Sequence, residues 1–146
     1  MASTDCRIVI HAIFATKGRT PVIKEAWRTD LWAYMGGTIN GLGAKTIVVG
    51  GTADHAHVAA ILGSTLTVEV LMRELKKSSS TWAKGHDGSF AWQRGYGAVS
   101  CRSEDIPSLI RYIDNQEEHH RHVTPYEEYL AFCATGGIEV DMRFFE

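Results

Sequence analysis

The chain has few cysteines and no long hydrophobic run. Its three cysteines, Cys6, Cys101 and Cys133, form no CxxC pair, which argues against a disulfide framework and against a four-cysteine zinc site. No apolar stretch approaches the ~20 residues that a membrane helix needs, and the N-terminus lacks the basic and apolar series of a signal peptide. These absences predict a cytoplasmic protein that does not bind membranes.

The composition is that of one globular domain. The 146 residues are 45% hydrophobic and 22% charged, with no internal repeat, linker or low-complexity stretch. We therefore predict a single domain over residues 1–146, with a core at about 5–102 and a last helix and acidic tail at about 103–146.

The net charge of −2 is an average over two unlike parts. Residues 1–103 hold 12 basic and 7 acidic residues, whereas residues 104–146 hold 3 and 10. A basic body can attract a polyanion even when the average is acidic. Charge segregation also arises by chance on solvated surfaces, so charge alone does not identify a nucleic-acid-binding protein.

Hydrophobic periodicity and turn residues predict the order strand, helix, strand, strand, helix, strand. The predicted strands are 7–16, 45–49, 55–62 and 91–101, the last bulged at two glycines, and the predicted helices are 24–39 and 67–84. This order predicts the α+β ferredoxin-like (RRM-like) split βαβ fold with an antiparallel sheet. A helix at about 104–121, capped by Ser103 or Asp105, is appended, followed by a short helical stretch at about 126–134 and an extended end.

The sharpest local signal is the pair His55 and His57 at the start of the third predicted strand. Residues i and i+2 of a strand share a face, so both imidazoles can reach one ion. A half-exposed histidine pair at a strand end is the alternative for this motif taken alone. A histidine-triad nucleotide hydrolase would need a third alternating histidine, and that position is Ala59.

Tyr112 and Gln116 lie four residues apart in the last predicted helix and therefore share a face. Beside the apolar stripe of this helix, both side chains can point into a cleft between helix and sheet, although a tyrosine taken alone is more often an ordinary packing residue. Together with the histidine pair they indicate one reaction class. A divalent ion would polarise a phosphodiester, and the tyrosine oxygen would attack phosphorus.

The same C-terminal part holds a further group of histidines and acids. The cluster at 119–122 (HHRH) could in principle bind a metal, but it is predicted to be a solvated helix end, next to Glu117 and Glu118. The acidic tail, which includes Glu128, is predicted to keep DNA away from this part of the surface.

Five segments occur in order along the chain: HAIFATKGRTPVI, DHAHVAAIL, LKKSSSTW, FAWQRGYGAVS and YIDNQEEHH. Together they resemble the small single-tyrosine HUH transposases of bacterial and archaeal insertion sequences, a family that includes the repeat-associated tyrosine transposases. The chain departs from the family pattern at Ala56, where a bulkier apolar residue usually separates the two histidines.

The resemblance implies a DNA transposase that cleaves and rejoins single-stranded DNA at hairpin-marked element ends. His55, His57 and Gln116 would bind Mg²⁺ or Mn²⁺, and Tyr112 would be the nucleophile, leaving a 5′-phosphotyrosine and a free 3′-hydroxyl. The predicted phosphate contacts are Lys17, Arg19, Lys76, Lys77 and Lys84. Trp92 and Tyr96 are candidates for base stacking, with core packing as the alternative.

The resemblance also implies a homodimer that binds single-stranded and hairpin DNA. Its active sites could combine the histidine pair of one subunit with the tyrosine helix of the other. Such a protein would be associated with the nucleoid when bound to DNA. Two alternatives stay open from the sequence: a domesticated hairpin-binding protein without strand transfer, and a ferredoxin-like metabolite or metal sensor.

Overall fold

A four-stranded antiparallel sheet carries helices on both of its faces. The structure is a computed structural model that describes residues 3–145. Its strands are β1 (Ile8–Ala15), β2 (Lys45–Gly51), β3 (His55–Leu62) and β4 (Gly97–Cys101), and its helices are α1 (Glu25–Gly41), α2 (Val68–Lys84), α3 (Ile106–Asp114), α4 (Gln116–His119) and α5 (Pro125–Gly136). The strand order β2-β3-β1-β4 confirms the predicted ferredoxin-like fold. None of the helices within residues 3–145 is long and apolar enough to cross a lipid bilayer.

Side-chain alternation along β1 and β3 gives the sheet two different faces. On one face, Phe14, Val58 and their neighbours pack against α1 and α2 in the main apolar core. On the other face, His11 and His57 point toward α3 and α5. The second face is therefore the one on which polar side chains collect.

Ala56, the residue between the two histidines, is fully buried on the core face. It lies directly opposite Phe14 of β1, whose ring packs edge-on against Trp92 at 4.6 Å between ring centroids. Cross-strand neighbours on one face of a sheet are in contact. The small residue at position 56 therefore lies beside a large ring supplied by the neighbouring strand.

The predicted helix at 104–121 is divided in the structure. It ends at Asp114, and Asn115 leaves the helical region with φ −102° and ψ 22° before the short helix α4 begins. Asp105, one of the two predicted caps, is the N-cap residue of α3, but neither candidate side chain makes a capping hydrogen bond. Ser103 Oγ instead accepts a hydrogen bond from Arg7, and Asp105 pairs with Arg102.

Two further boundaries differ from the prediction. The fourth strand is shorter than expected, because residues 91–96 contribute only an isolated bridge between Thr16 and Trp92 before β4 begins at Gly97. The chain end is not extended, because Met142–Phe145 form a 3-10 turn. Contacts between the end of the chain and the sheet region set this turn, since the Gln93 amide donates to the Phe144 carbonyl.

Two glycines allow the last helices to approach the sheet closely. A Cβ at Gly50 of β2 would lie 2.7 Å from the Ile113 carbonyl oxygen of α3. A Cβ at Gly97 of β4 would lie 2.8 Å from the Phe132 ring of α5. Both separations are shorter than carbon atoms tolerate, so the positions of α3 and α5 depend on the absence of a side chain at these two places.

Gly50→Ala is therefore expected to displace α3, because the new methyl group meets backbone and not a flexible side chain. We expect it to lower the free energy of unfolding by about 1–3 kcal/mol. Gly37→Ala, in the exposed part of α1 with open space around it, is the control and should leave stability unchanged or raise it. Urea unfolding followed by circular dichroism measures both, and equal stability of the two variants would contradict the close approach.

Candidate active site

The histidine pair of β3 meets side chains from three helices. His55 Nε2 lies 3.0 Å from Gln116 Oε1 and 3.4 Å from Glu128 Oε1. His57 Nε2 lies 3.0 Å from the same Glu128 oxygen. The Tyr112 hydroxyl donates a hydrogen bond to Glu128 Oε2. The structure thus brings together the four residues singled out in the sequence, while their chemical roles stay predictions.

Further side chains orient the two imidazoles. His55 Nδ1 lies 2.8 Å from Asp54 Oδ1 and 2.9 Å from Thr52 Oγ1. His57 Nδ1 lies 2.8 Å from His11 Nε2, and these two rings are stacked. Because each Nδ1 atom lies within hydrogen-bond distance of a side chain outside the site, each Nε2 atom points into the site. Metal-binding histidines are commonly oriented by such a hydrogen bond to the nitrogen that does not bind the metal.

Glu128 of α5 is the central residue that the sequence did not reveal. Its side chain is only 3% exposed, so the prediction that it contributes to an acidic surface that keeps DNA away is wrong. It lies on the buried stripe of α5 with Tyr129, Phe132 and Cys133. A lone acid on an otherwise apolar helix face was the signal available in the sequence.

The 119–122 cluster is only half solvated. His120 Nε2 lies 3.1 Å from Glu128 Oε1, and His119 Nε2 lies 3.2 Å from Glu128 Oε2. Arg121 and His122 instead pair with Glu118 at the surface, as expected of a helix end. The solvated interpretation is therefore wrong for the first two histidines, because the chain turns after α4 and places them over the Glu128 carboxylate.

The histidines of the site have different protonation behaviour. Burial lowers the pKa of His57 to about 4, against the opposing effect of Glu128. Burial and the neighbouring His57 lower the pKa of His11 to about 3. Burial alone would also lower the pKa of His55, but hydrogen bonds to Asp54, Glu128 and Gln116 raise it to about 9. His57 is therefore neutral at pH 7 and His55 is protonated.

The pKa values of the acid and of the phenol are shifted in opposite directions. Burial would raise the pKa of Glu128, but hydrogen bonds from His120, His55 and His57 hold it well below its usual value. Burial, reinforced by the Glu128 charge, raises the pKa of Tyr112 above its ordinary value. At neutral pH the pair is thus an ionised carboxylate that accepts a hydrogen bond from a protonated tyrosine.

Glu128 belongs to two groups of donor atoms, each of which is spaced as the ligands of a cation are. Nitrogen and oxygen atoms of His55, His57 and Glu128 lie within 4.8 Å of one another, as do those of His119, His120 and Glu128. The distances of 3.0 and 3.4 Å from His55 Nε2 to Gln116 and Glu128 are close to those of adjacent ligands in an octahedral shell with ~2.1 Å bonds. The residues present therefore fit a divalent ion.

The predicted phosphate contacts occupy different parts of the fold. Arg19 pairs with Asp54 at 3.2 Å next to the site, and Lys17 lines an open groove along α5. Lys77 and Lys84 are exposed on α2, on the opposite face of the sheet. The Lys76 ammonium donates to two backbone carbonyls of the loop before β4 and is thereby engaged within the protein.

The two aromatic candidates for base stacking pack within the protein. Trp92 is buried, and its Nε1 donates to Ser79 Oγ at 2.9 Å. Its ring also meets Phe14 and Phe90 edge-on. Tyr96 is half-buried against the main core. These contacts favour the packing alternative for both residues.

Comparison with known proteins agrees with this arrangement. The family described as "Transposase IS200 like" matches residues 4–116. The chain belongs to the IS200-like transposase family. The match ends at Gln116, so α5 and Glu128 of this IS200-like transposase lie outside the matched residues.

Two solved structures have the same fold as this IS200-like transposase. A Deinococcus radiodurans R1 protein assigned as a transposase is 18% identical, with a TM-score of 0.62 over 80% of this chain and 95% of that one. A REP-associated tyrosine transposase bound to a REP hairpin is 16% identical, with a TM-score of 0.60 over 82% of this chain and 74% of that one. No curated protein sequence matches the chain significantly.

Lys76→Met tests whether the hydrogen bonds of the Lys76 ammonium to the loop before β4 stabilise the fold. The variant keeps the apolar stem but loses hydrogen bonds of 2.6 Å to the carbonyls of Gln93 and Gly95. Since burial already lowers the pKa of Lys76 to about 8, its contacts are not those of a solvated lysine. We expect the unfolding free energy to fall by about 1.5–3 kcal/mol, whereas Lys77→Met on the same helix should change it little. Urea unfolding compares them, and equal values would refute the structural role.

Proposed function

We propose that this protein cleaves and rejoins single-stranded DNA at hairpin-marked element ends through a 5′-phosphotyrosine formed on Tyr112. The supporting observation is the position of Tyr112 beside the histidine pair of the same chain. The rings of Tyr112 and His57 lie 5.5 Å apart and perpendicular, with Glu128 between their polar atoms. A nucleophile next to ligands for a cation is what tyrosine-mediated phosphoryl transfer requires.

His55, His57 and Gln116 would hold the divalent cation, and Glu128 Oε1 lies close enough to join them. When bound, the cation would neutralise charge on the phosphodiester and polarise its phosphorus–oxygen bonds. Imidazole nitrogens combined with amide and carboxylate oxygens form a mixed set, which suits Mn²⁺ better than Mg²⁺. Binding also requires His55 to release the proton that it holds at neutral pH.

Tyr112 begins the reaction with its hydroxyl hydrogen-bonded to Glu128 Oε2. Its oxygen loses the hydroxyl proton and attacks phosphorus, the bond from phosphorus to the 3′ oxygen breaks, and the departing 3′ oxygen takes up a proton, so that the free 3′ end is a hydroxyl group. One phosphodiester replaces another, so the bond energy is retained for rejoining instead of being lost to water. Partial burial of Tyr112 limits access of water to this bond.

The basic residues divide into two groups in this proposal. Lys17 and Arg19 lie on the side of the active site and would contact the strand that is cleaved. Lys77 and Lys84 lie across the sheet and would contact the hairpin stem. A homodimer stays part of the proposal, but Tyr112 reaches its histidines without a second chain.

The first test is covalent trapping. Protein is incubated with Mn²⁺ and single-stranded oligonucleotides containing the palindromes that flank the coding region, labelled at the 3′ end because the tyrosine retains the strand on that side. We expect a labelled adduct on a denaturing gel from the wild type and none from Tyr112→Phe. Tyr126→Phe, which changes an exposed tyrosine on α5, is the control and should form the adduct.

An adduct of undiminished intensity in Tyr112→Phe would refute the proposed nucleophile. Hairpin binding by a wild-type protein that forms no adduct would instead support the domesticated DNA-binding alternative. Absence of both binding and adduct at low salt would favour the sensor alternative.

The second test concerns the cation. His57→Ala removes a fully buried imidazole whose Nε2 faces the site, so Mn²⁺ affinity and adduct formation should fall by more than the roughly 100-fold that loss of an outer partner costs. Mn²⁺ titration by electron paramagnetic resonance and single-turnover adduct assays measure the two effects. His122→Ala, at the surface, is the control. Retained hairpin affinity shows that the variant is folded, and wild-type Mn²⁺ affinity in His57→Ala would refute its role as a ligand.

A further inference from the structure

Glu128 is a buried acid outside the family match, and a place among the cation ligands would account for only one of its two carboxylate oxygens. It lies on α5, twelve residues beyond the end of the family match at Gln116. The helix is set independently of the site by a capping box, in which Thr124 Oγ1 accepts from the Glu127 backbone and the Glu127 side chain accepts from the Thr124 backbone. Tyr129 and Phe132 anchor its buried face.

The two oxygens of the Glu128 carboxylate face different partners. Oε1 lies 3.0 Å from His57 Nε2 and 3.4 Å from His55 Nε2, on the side of the predicted cation ligands. Oε2 accepts the hydrogen bond of the Tyr112 hydroxyl. One rigid, planar group therefore joins the nucleophile to the ligand pair.

Packing alone does not explain an acid at this position. Burial of an ionised carboxylate is costly, and an apolar residue of similar size would serve a purely structural helix face at least as well. A tyrosine O–H bond, by contrast, can point to either side in the plane of the ring unless a fixed acceptor selects one orientation. With the proton directed at Oε2, the lone pairs of the Tyr112 oxygen are left to face an incoming phosphorus atom.

We propose that Glu128 is the positioning residue for Tyr112, which makes α5 part of the active site. The proposal rests on the proposed function of Tyr112 as nucleophile. Glu128 acts through its hydrogen bond to the hydroxyl, which holds the nucleophile beside the cation ligands of the same chain. Its loss should slow the chemical step and leave DNA recognition unchanged.

The test compares Glu128→Leu and Glu128→Gln with the wild type at saturating Mn²⁺. Leu keeps the apolar packing of α5 but removes the acceptor, so single-turnover adduct formation should be about 10- to 100-fold slower, with the hairpin Kd within about two-fold of the wild type. Gln retains an acceptor oxygen at the same length, so it should react at least ten-fold faster than Leu. Glu127→Gln on the same helix is the control, because glutamine also completes a capping box.

Four outcomes decide the proposal. A Leu variant that is slow with unchanged hairpin affinity, together with recovery in Gln, supports the positioning role. A Leu variant that reacts at the wild-type rate overturns it. A Gln variant as slow as Leu also overturns it, since charge and not the hydrogen bond would then be required. Absence of any Tyr112-dependent adduct in the wild type would overturn the proposed function, and the role of Glu128 with it, whereas the two preceding results would leave the proposed function intact.

Discussion

Side-chain alternation in β3 is the constraint on which the rest of the structure depends. This strand lies between β2 and β1, so every residue of it faces either the main core or the helices that follow β4. The register that places Ala56 opposite Phe14 also places His57 opposite Ile13. A slip of one residue would turn the histidines into the apolar core and the core residues toward the site. The packing of the core face thereby determines which side chains lie on the opposite face of the sheet.

Helices α3 and α5 contribute side chains to the site because two glycines of the sheet leave room for close packing. Gly50 admits the backbone of α3 at Ile113, the residue next to Tyr112, and Gly97 admits the ring of Phe132 on α5. This close packing brings a phenol, an amide and a carboxylate from three different helices to the same pair of imidazoles. Glycine therefore acts in this fold through the space that it leaves free.

Most of the groups around the buried carboxylate of the site are imidazoles. The partners of the Glu128 carboxylate include four imidazoles and the Tyr112 phenol. An arginine in the same place would be a permanent counter-ion, whereas a histidine releases its proton to become a ligand.

The acidic C-terminal part does not form a uniform negative surface, since Glu117 pairs with Arg28 at 2.5 Å and Glu128 is buried.

The sequence by itself determined the order of elements, the sheet class and the two histidines on one strand face, because periodicity and alternation are local properties. It also predicted that Tyr112 and Gln116 are neighbours, which survives the helix break at Asn115, since the Gln116 amide still reaches the Tyr112 carbonyl. Only the tertiary structure decided what surrounds Glu128, His119 and Lys76. Each is of a residue type that usually lies at the surface. Each is buried or hydrogen-bonded within the protein only because a turn or a distant loop packs over it, and no local sequence pattern encodes such a contact.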